Sequence, residues 1–349
     1  MIEKIVIDPS VEYNYASYYI EGFKEVCNTV VFDSTPFSAL NYRYGRGMAV
    51  CYVVEGKNYH VFIDFHDLCE IEEDAYVWSD VYGKINVRKD DVMKYPKILA
   101  IGPSFGCKNH SLLSLLILGL IRFPYIRNNS VSFKEFISDY AYLAFRRRPI
   151  SDYEIDTDVD DNYIFHASTL WYDDKTHTTT NAYRGEFLKA CRNAGLMIEG
   201  GLFYIESPEV IRQYPNYVLY KKMYGDFLFR KRLKMHDYIK KTKKSVVVFN
   251  TPSVGECHGW KLAEYLCMGK AIISMPLSRE MPGKGIEHGK NIHFVNTKEE
   301  IYDAVIKIKE DVDYRHQLEC GARDYYLNYL TPSKVALRLL DSCVDKSLL

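Results

Sequence analysis

The chain has 349 residues, of which 47% are hydrophobic and 26% charged, a composition typical of a globular protein with enough core for two domains. Its formal net charge is −1, so the chain as a whole lacks the basic excess of nucleic-acid-binding proteins, and no nucleic-acid partner is expected. Nine cysteines without paired CxxC spacing predict reduced thiols, no zinc site and a cytoplasmic protein. The longest apolar stretch, residues 112–123, is shorter than the ~20 residues that a membrane-spanning helix needs.

The N-terminal half alternates predicted strands and helices, which indicates an α/β layer. The predicted strands are residues 3–7, 29–32, 48–54, 60–64, 75–78 and 97–101. The predicted helices are residues 16–26, 112–121 and 132–145. Residues 55–58 form a predicted turn that joins two of the strands as a hairpin.

The C-terminal half follows an acidic stretch without apolar periodicity, residues 152–161, which predicts a linker and a domain boundary near residue 155. Its strand–helix units repeat at intervals of about 25 to 45 residues, which predicts a parallel sheet with right-handed crossovers. The predicted strands are 163–166, 202–205, 245–249, 271–274 and 293–295. The predicted helices are 181–194, 229–240, 260–268, 299–309, 313–327 and 332–343.

Residues 246–273 contain a strand, a loop of small residues and the start of a helix. In a doubly wound sheet, ligands bind beyond the carboxyl ends of the strands, and the unpaired amides of a helix N-terminus favour phosphate there. Gly255 and Gly259 let the backbone come close to such a ligand, and Lys261 adds a cation in the first helical turn. The segment therefore predicts an anion site.

Two glutamates flank this anion site, and seven residues separate Glu256 from Glu264. The segment resembles the Glu-x7-Glu signature of retaining GT-B glycosyltransferases (glycosyl transferases group 1), in which a Pro-Ser loop, a Glu, a Gly-containing turn, a second Glu and a Gly-Lys follow in this order. The matching residues here are Pro252, Ser253, Glu256, Gly259, Glu264, Gly269 and Lys270. The resemblance implies that Glu256 contacts the donor sugar and that Glu264 binds the nucleotide ribose.

The sequence departs from this pattern at two places. Cys257 stands where the family usually has Gly, and Trp260-Lys261 replaces the more common small or proline-containing start of the helix. These departures bear on the identity of the sugar and on retention more than on the fold.

The resemblance implies an α/β fold of two Rossmann-like domains facing a cleft, the GT-B fold. Residues 1–155 are then the acceptor-side domain, residues 156–330 bind the nucleotide-sugar, and residues 331–349 form a helix that packs back across the interface. The implied activity is transfer of a sugar from a nucleotide-sugar donor to a glycan or lipid-linked acceptor, with retention, no metal and no bound cofactor.

Two alternatives stay open at the sequence level. A GT-B type UDP-sugar epimerase shares the sheet and the cleft, but it needs carboxylates from both domains placed for elimination. A non-catalytic scaffold of the same fold would bind carbohydrate or a partner protein, but such a scaffold has no reason to keep charges at Glu256 and Lys261.

Further site residues are predicted in both halves. Glu256 and Lys261 are predicted as catalytic together with His66, which follows a strand's carboxyl end, where an acceptor contact or a base would lie; a capped turn is the alternative for His66. The predicted donor-binding residues besides Glu264 are Ser253, Gly255, His258, Gly259, Arg184, Lys175 and Lys222. The resemblance implies that an Arg and a Lys from this region clamp the phosphates, although a solvated surface position suits Lys175, Arg184 or Lys222 equally well.

A basic tract lies next to apolar residues in the N-terminal half. It contains Arg122, Arg127, Lys134 and Arg146-Arg147-Arg148. Such a tract favours anionic lipid headgroups, so peripheral contact with the inner face of a membrane is one expectation and a solvated basic helix is the other.

Overall fold

The computed structural model describes residues 2–126, 131–154, 158–172 and 174–347. Two compact units make up the chain. Unit 1 comprises Met1–Ile150, Arg279–Gly285 and Leu327–Leu349, and unit 2 comprises Ser151–Ser278 and Ile286–Tyr326. Both contain helices and hydrogen-bonded sheets with parallel strands, so the predicted α/β fold class is confirmed.

Unit 1 contains a six-stranded sheet in the order β2-β1-β3-β4-β5-β6. The strands are β1 (Ile2–Ile7), β2 (Val30–Phe32), β3 (Gly47–Val54), β4 (Lys57–Asp64), β5 (Val81–Lys84) and β6 (Ile98–Ala100). Its helices up to residue 146 are α1 (Tyr13–Val26), α2 (Glu73–Trp78), α3 (Lys89–Lys94), α4 (Leu112–Arg122) and α5 (Phe133–Arg146). Only β3 runs against its neighbours, so the carboxyl ends of the other five strands meet at one edge.

The predicted hairpin is confirmed between β3 and β4. Val54 pairs with Lys57, which leaves a two-residue turn. Its residues, Glu55 with φ 50° and Gly56 with φ 72°, are both left-handed. A two-residue turn of this kind matches the twist of an antiparallel pair, and so the hairpin places β3 against the direction of its neighbours.

The strand predicted at residues 75–78 is wrong, because these residues belong to α2. Glu73 and Asp74 occupy the first turn of that helix, where their charges suit the helix dipole. The sheet position belongs to β5, which the sequence analysis missed because Gly83 argues against a strand. A Cβ at Gly83 would lie 2.7 Å from Leu339 Cδ2, so a larger residue there would displace the Leu339 side chain that packs on the strand.

Unit 2 begins after the first residue of α6 (Ile150–Glu154). Two parallel three-stranded sheets follow, one of β7 (Tyr163–Thr169), β8 (Met197–Phe203) and β9 (Leu228–Phe229), the other of β10 (Val248–Asn250), β11 (Ile272–Ser274) and β12 (His293–Phe294). The helices are α7 (Asp174–Asn193), α8 (Pro208–Gln213), α9 (Tyr217–Met223), α10 (Met235–Lys244), α11 (Trp260–Cys267), α12 (Glu300–Glu310) and α13 (Val312–Tyr325). The Val246 N–H donates to Tyr163 O over 2.9 Å, which joins the two sheets side by side.

The core of unit 2 includes apolar side chains from strands of both of its sheets. Leu202 of β8 and Ile273 of β11 are fully buried, as expected for parallel strands that helices cover. Phe187 of α7 stacks on Phe249 of β10 with ring centroids 4.7 Å apart, which fixes α7 against the strand that leads into the predicted anion site.

Two later segments of the chain belong to unit 1. The N–H of Glu280 donates to Val87 O over 2.9 Å, and the last helix, α14 (Pro332–Ser347), packs on α1. A Cβ at Gly22 would lie 2.1 Å from Pro332 O, so the two helices touch at a glycine. That residues 331–349 pack across an interface stays a prediction. Within the described residues, no helix has both the length and the apolar character required to cross a membrane.

Candidate functional site

The loop between β10 and α11 is held in an unusual backbone conformation. Gly255 has φ 57° and Glu256 has φ 61°, so two successive residues are left-handed. The Glu256 N–H donates to Ser253 O and the Ser253 N–H donates to Cys257 O, both over 3.1 Å. A left-handed glutamate costs of order 1 kcal/mol, and strain of this kind is concentrated at functional sites. The loop leaves the Glu256 side chain exposed.

The start of α11 has no side-chain cap. Gly259 precedes the helix and has no side chain that could cap it. The nearest atom to a Cβ built at Gly259 is Ser253 Cβ at 3.7 Å, an ordinary contact. The predicted donor-site residues Ser253, Gly255 and Gly259 therefore lie together on one short loop, with partial exposure.

Lys261, in the first turn of α11, reaches the end of β7. Its Nζ donates to Ala167 O and to Ser168 Oγ, the latter over 2.7 Å. The Lys261 residue is partly exposed as a whole, whereas its ammonium group is enclosed. The side chain thus brings a positive charge to the carboxyl end of β7.

Arg184 of α7 reaches the same strand end from the other side. Its Nη1 donates to Thr169 O over 2.7 Å, and its Nε donates to Thr251 Oγ1 over 3.0 Å. Thr180, one turn earlier in α7, donates from Oγ1 to Pro252 O over 3.4 Å. Helix α7 is therefore bound to the motif loop by two side chains.

The electrostatics of this group show a shortage of negative charge. Burial and, to a smaller extent, the Arg184 charge lower the pKa of Lys261 to about 7, and the Glu264 charge opposes both effects. Burial also lowers the pKa of Arg184 to about 10. An anion bound beside these two cations would raise both pKa values.

His166, within β7, belongs to the same group and was not predicted from the sequence. Burial holds its pKa well below the usual range, and the charges of Lys261 and Arg184 add to this effect. Its Nε2 is buried and has no hydrogen-bond partner among the described residues. From the sequence, a histidine within an apolar strand is interpreted as a core residue. No sequence signal therefore distinguishes a functional His166 from a structural one.

The two glutamates of the motif have different environments. Glu264 is 4% exposed, and the Tyr238 hydroxyl donates to its Oε2 over 2.8 Å. Burial raises the pKa of Tyr238, so this hydroxyl stays a donor. Glu256 is exposed, as described above. One carboxylate is therefore fixed within unit 2 and acts electrostatically on Lys261, while the other is presented to solvent.

The other predicted donor-site residues differ in how close they lie to this loop. His258, which lies between the two glutamates in the sequence, is buried. Lys222 is exposed in the last turn of α9, a helix that packs on the turn Gly225–Phe227. Lys175 lies in α7, but its side chain is outside the described residues.

His66 lies in unit 1, just past the carboxyl end of β4. Its N–H donates to Asp64 Oδ1 over 2.9 Å. Its Nδ1 accepts the Leu68 N–H over 3.2 Å and lies 2.9 Å from Arg46 Nη1. Since Nδ1 accepts, the neutral ring carries its proton on Nε2. Burial and the Arg46 charge lower the pKa of His66. The ring is therefore suited to donate a hydrogen bond from Nε2 rather than to act there as a base.

Unit 1 also encloses two carboxyl groups that the sequence analysis missed. Glu12 lies in the turn between β1 and α1, and burial raises its pKa to about 7, with smaller contributions from Asp139 and Glu135. Asp139 accepts the Asn14 N–H at 3.0 and 3.2 Å, yet burial raises its pKa to about 6.

No family model matches the chain, and no curated protein sequence matches it. Solved structures are similar over most of its length. A glycosyltransferase from Rickettsia africae is 12% identical, with 96% of this chain and 81% of that chain covered and a TM-score of 0.44. A sucrose-phosphate synthase from Thermosynechococcus elongatus is 10% identical, with 95% and 72% covered and a TM-score of 0.44. HepE from Anabaena in complex with UDP-glucose is 10% identical, with 82% and 99% covered and a TM-score of 0.38.

Proposed function

We propose that this chain is a glycosyltransferase that binds a nucleotide-sugar donor in unit 2. The observation that carries the proposal is the pair of enclosed cations, Lys261 and Arg184, at the end of β7 beside the start of α11. Burial lowers the pKa values of both side chains, and an anion bound beside them would stabilise their charged forms.

The diphosphate of the donor binds at these cations and at the amides that open α11. Negative charge grows on the leaving diphosphate as the bond to the sugar breaks, and fixed cations in an enclosed site stabilise that charge. In this mechanism the cationic side chains stabilise the leaving diphosphate, and neither a metal nor a cofactor takes part.

Glu264 binds the ribose. Its Oε2 accepts the Tyr238 hydroxyl, and a carboxylate is an acceptor for the hydroxyls of a ribose. The bond from Tyr238 fixes the carboxylate before the ligand arrives, which lowers the entropic cost of binding.

Glu256 contacts the donor sugar from its strained loop, and transfer proceeds with retention, as the resemblance implies. The acceptor, a glycan or a lipid-linked glycan, binds to unit 1, where His66 and Glu12 offer hydrogen bonds to its hydroxyls. The reaction takes place in the cytoplasm.

A panel of UDP-, GDP- and CMP-sugars tests donor binding through thermal unfolding. A ligand at 100 times its Kd stabilises the protein by about 2.7 kcal/mol, so at least one donor is expected to raise the Tm by several degrees. Glu264→Gln should lose this shift, because the amide replaces a charged acceptor. Tyr238→Phe is the control: it removes the hydrogen bond and keeps the carboxylate, so the shift becomes smaller but persists.

The same samples separate the alternatives. Incubation with donor alone, followed by NMR of the sugar, shows an altered donor if the chain is an epimerase and an unaltered or hydrolysed donor if it is a transferase. A protein that no donor of the panel stabilises, or a Glu264→Gln variant that keeps the full shift, would contradict the proposed donor site.

A further inference from the structure

Unit 1 contains an open cavity that is lined by α2, by α3 and by the loop after β4. Its volume is about 570 Å³, and small-ligand sites generally occupy roughly 300–1,000 Å³. Helix α2 packs on β4 and β5, and α3 packs on β6, so the two helices stand on neighbouring strands of the sheet. The cavity therefore has the size of a small-molecule site and walls from two separate helices.

Two tyrosines form much of the apolar part of the lining. Tyr76 of α2 and Tyr95, the residue after α3, meet edge to face with ring centroids 5.4 Å apart. Both rings pack against the buried core of unit 1, as does Ile71, which also lines the cavity. The core thus holds this apolar surface in place before a ligand arrives, which lowers the entropic cost of binding.

The charged part of the lining is mainly acidic. Glu73, in the first turn of α2, and Asp91, in the first turn of α3, line the cavity, and among the described residues neither makes an ion pair. Glu70 lines it as well, and its Oε2 lies 3.8 Å from Arg46 Nη1. The guanidinium group of Arg88 completes the charged lining. Within the described residues, three carboxylates therefore accompany one guanidinium group, and negative charge is in excess.

Ammonium groups of the chain itself already lie over the two tyrosines. Lys97 Nζ is 5.4 Å from the centroid of the Tyr76 ring, and Lys94 Nζ is 5.0 Å from that of Tyr95. The Lys97 charge is compensated, because Nζ also donates to three backbone carbonyls at the end of α2. Neither lysine lines the cavity. The rings are therefore of a kind that attracts cations, and the cavity offers a ligand the surface that the lysines leave uncovered.

The predicted basic tract of unit 1 does not offset the charge of this cavity. Arg122 is buried and donates from Nη2 to Pro9 O over 2.9 Å, so it is not a headgroup contact, which corrects its place in that tract. Lys134 and Arg146 are exposed on α5, and neither lines the cavity. Arg127 lies outside the described residues.

We infer that this cavity binds a polyamine, a linear alkyl chain that carries an ammonium group at each end. Glu73 and Asp91 belong to different helices, so each offers a carboxylate to one ammonium group. The methylene groups between the two ends lie on Tyr76, Tyr95 and Ile71. An anion would be repelled by the excess of carboxylates, and an uncharged chain would leave them without a partner. The bound polyamine joins α2 to α3, and this site is additional to the donor site and does not depend on it.

Protection of Cys69 tests the inference directly, because this half-buried thiol lines the cavity. The full chain is treated with iodoacetamide with and without spermidine, and peptide mass spectrometry follows each thiol. Spermidine at about ten times its Kd fills about 90% of the sites and should slow the modification of Cys69 about tenfold. Cys320, an exposed thiol of unit 2, is the internal control and should react at an unchanged rate. An uncharged chain with as many non-hydrogen atoms, 1,8-octanediol, should give no protection at the same concentration.

The double variant Glu73→Gln, Asp91→Asn tests the two carboxylates. An ion pair at a surface contributes up to about fivefold in affinity, so this variant should bind spermidine roughly 10- to 25-fold more weakly in a calorimetric titration. The matched control is Asp74→Asn, Asp90→Asn, because these exposed residues occupy the same two helical turns without lining the cavity. It removes the same charge from the same helix starts and should stay within about twofold of the wild type.

Three results would overturn the inference. Cys69 could react equally fast with and without spermidine, or octanediol could protect it as well as spermidine does, which would make the cavity a purely apolar site. The two double variants could also bind spermidine equally well, which would reduce the interaction to the net charge of the surface. The protection experiment uses the wild type, so it decides the question even where a variant fails to fold. The donor-induced thermal shift should be retained in both double variants, which separates this inference from the proposed donor site.

Discussion

Units 1 and 2 both enclose ionisable groups near the carboxyl end of their first strand, but the groups carry opposite charges. Unit 2 holds the cations Lys261 and Arg184, whose pKa values are lowered. Unit 1 holds the carboxyl groups of Glu12 and Asp139, whose pKa values are raised. Burial disfavours charge in both places. Among the described residues, unit 2 therefore encloses cations and unit 1 encloses carboxyl groups at these strand ends.

The N-termini of two helices, α1 in unit 1 and α11 in unit 2, show a related contrast. In unit 1, the N-terminus of α1 already has a carboxylate partner, because Asp139 accepts the Asn14 N–H. In unit 2, α11 begins after Gly259, which has no side chain that could act in this way. One helix start therefore has an internal carboxylate as its partner, and the other has no side-chain cap.

The largest expected effect of a single substitution concerns Glu256. Glu256→Gln removes the exposed charge of the motif loop, and we expect turnover to fall by about 10² to 10³ while donor affinity changes only a few-fold. Release of nucleoside diphosphate measures the turnover, and the thermal shift measures the binding.

Glu287→Gln is the control for this substitution, since Glu287 is another exposed carboxylate of unit 2. It should leave turnover within twofold. Equal losses of turnover in the two variants, or full turnover in Glu256→Gln, would remove Glu256 from the site.

A smaller effect is expected from Glu12, and it concerns stability as a function of pH. The pKa of Glu12 is about 7 in the folded protein and 4.5 in an ordinary environment. The folded state therefore binds the proton of the Glu12 carboxyl group more tightly than the unfolded state does. The resulting contribution to the free energy of unfolding is fully present below pH 4.5 and is lost as the pH rises through 7. Urea unfolding at pH 4.5 and pH 8 should show that the wild type loses on the order of 1 kcal/mol more than Glu12→Gln.

Glu3→Gln, at an exposed carboxylate of β1, is the control and should follow the wild type. If the free energies of unfolding of the wild type and Glu12→Gln depend on pH in the same way, Glu12 is not held in its protonated form. The contrast between the carboxyl groups of unit 1 and the cations of unit 2 would then not hold for Glu12.

The smallest effect is expected at Lys222. Because this side chain is exposed in the last turn of α9, Lys222→Met should change donor affinity by less than twofold. Titration by thermal shift measures it. A tenfold loss would instead support Lys222 as a phosphate contact and would extend the cationic site to α9.

Elements whose cause is local can be predicted from the sequence, whereas elements whose cause is tertiary cannot. The β3–β4 hairpin was predicted correctly because Glu55-Gly56 defines its turn. β5 was missed because Gly83 is explained only by the packing of Leu339. Residues 75–78 were taken for a strand because their apolar side chains are common to both structures, while the acidic first turn of α2 was overlooked.

The candidate site divides in the same way. The spacing of Glu256 and Glu264 is visible in the sequence. The convergence of Lys261 with Arg184 on the end of β7 is not, because the hydrogen bonds span more than 90 residues for Lys261 and join Arg184 to two separate strand ends. The raised pKa of Glu12 likewise results from burial against α5, far along the chain.

The central claim is that the enclosed cations of unit 2 bind the donor's diphosphate, and proton uptake tests it most directly. The diphosphate of a nucleotide-sugar does not itself titrate near neutral pH, whereas Lys261, with a pKa of about 7, is mostly uncharged at pH 8 before binding. Calorimetric titration at pH 8 in two buffers of different ionisation enthalpy should therefore show uptake of roughly one proton per donor bound, and Lys261→Met should abolish that uptake. Donor binding without proton uptake, or uptake that persists in Lys261→Met, would contradict the account.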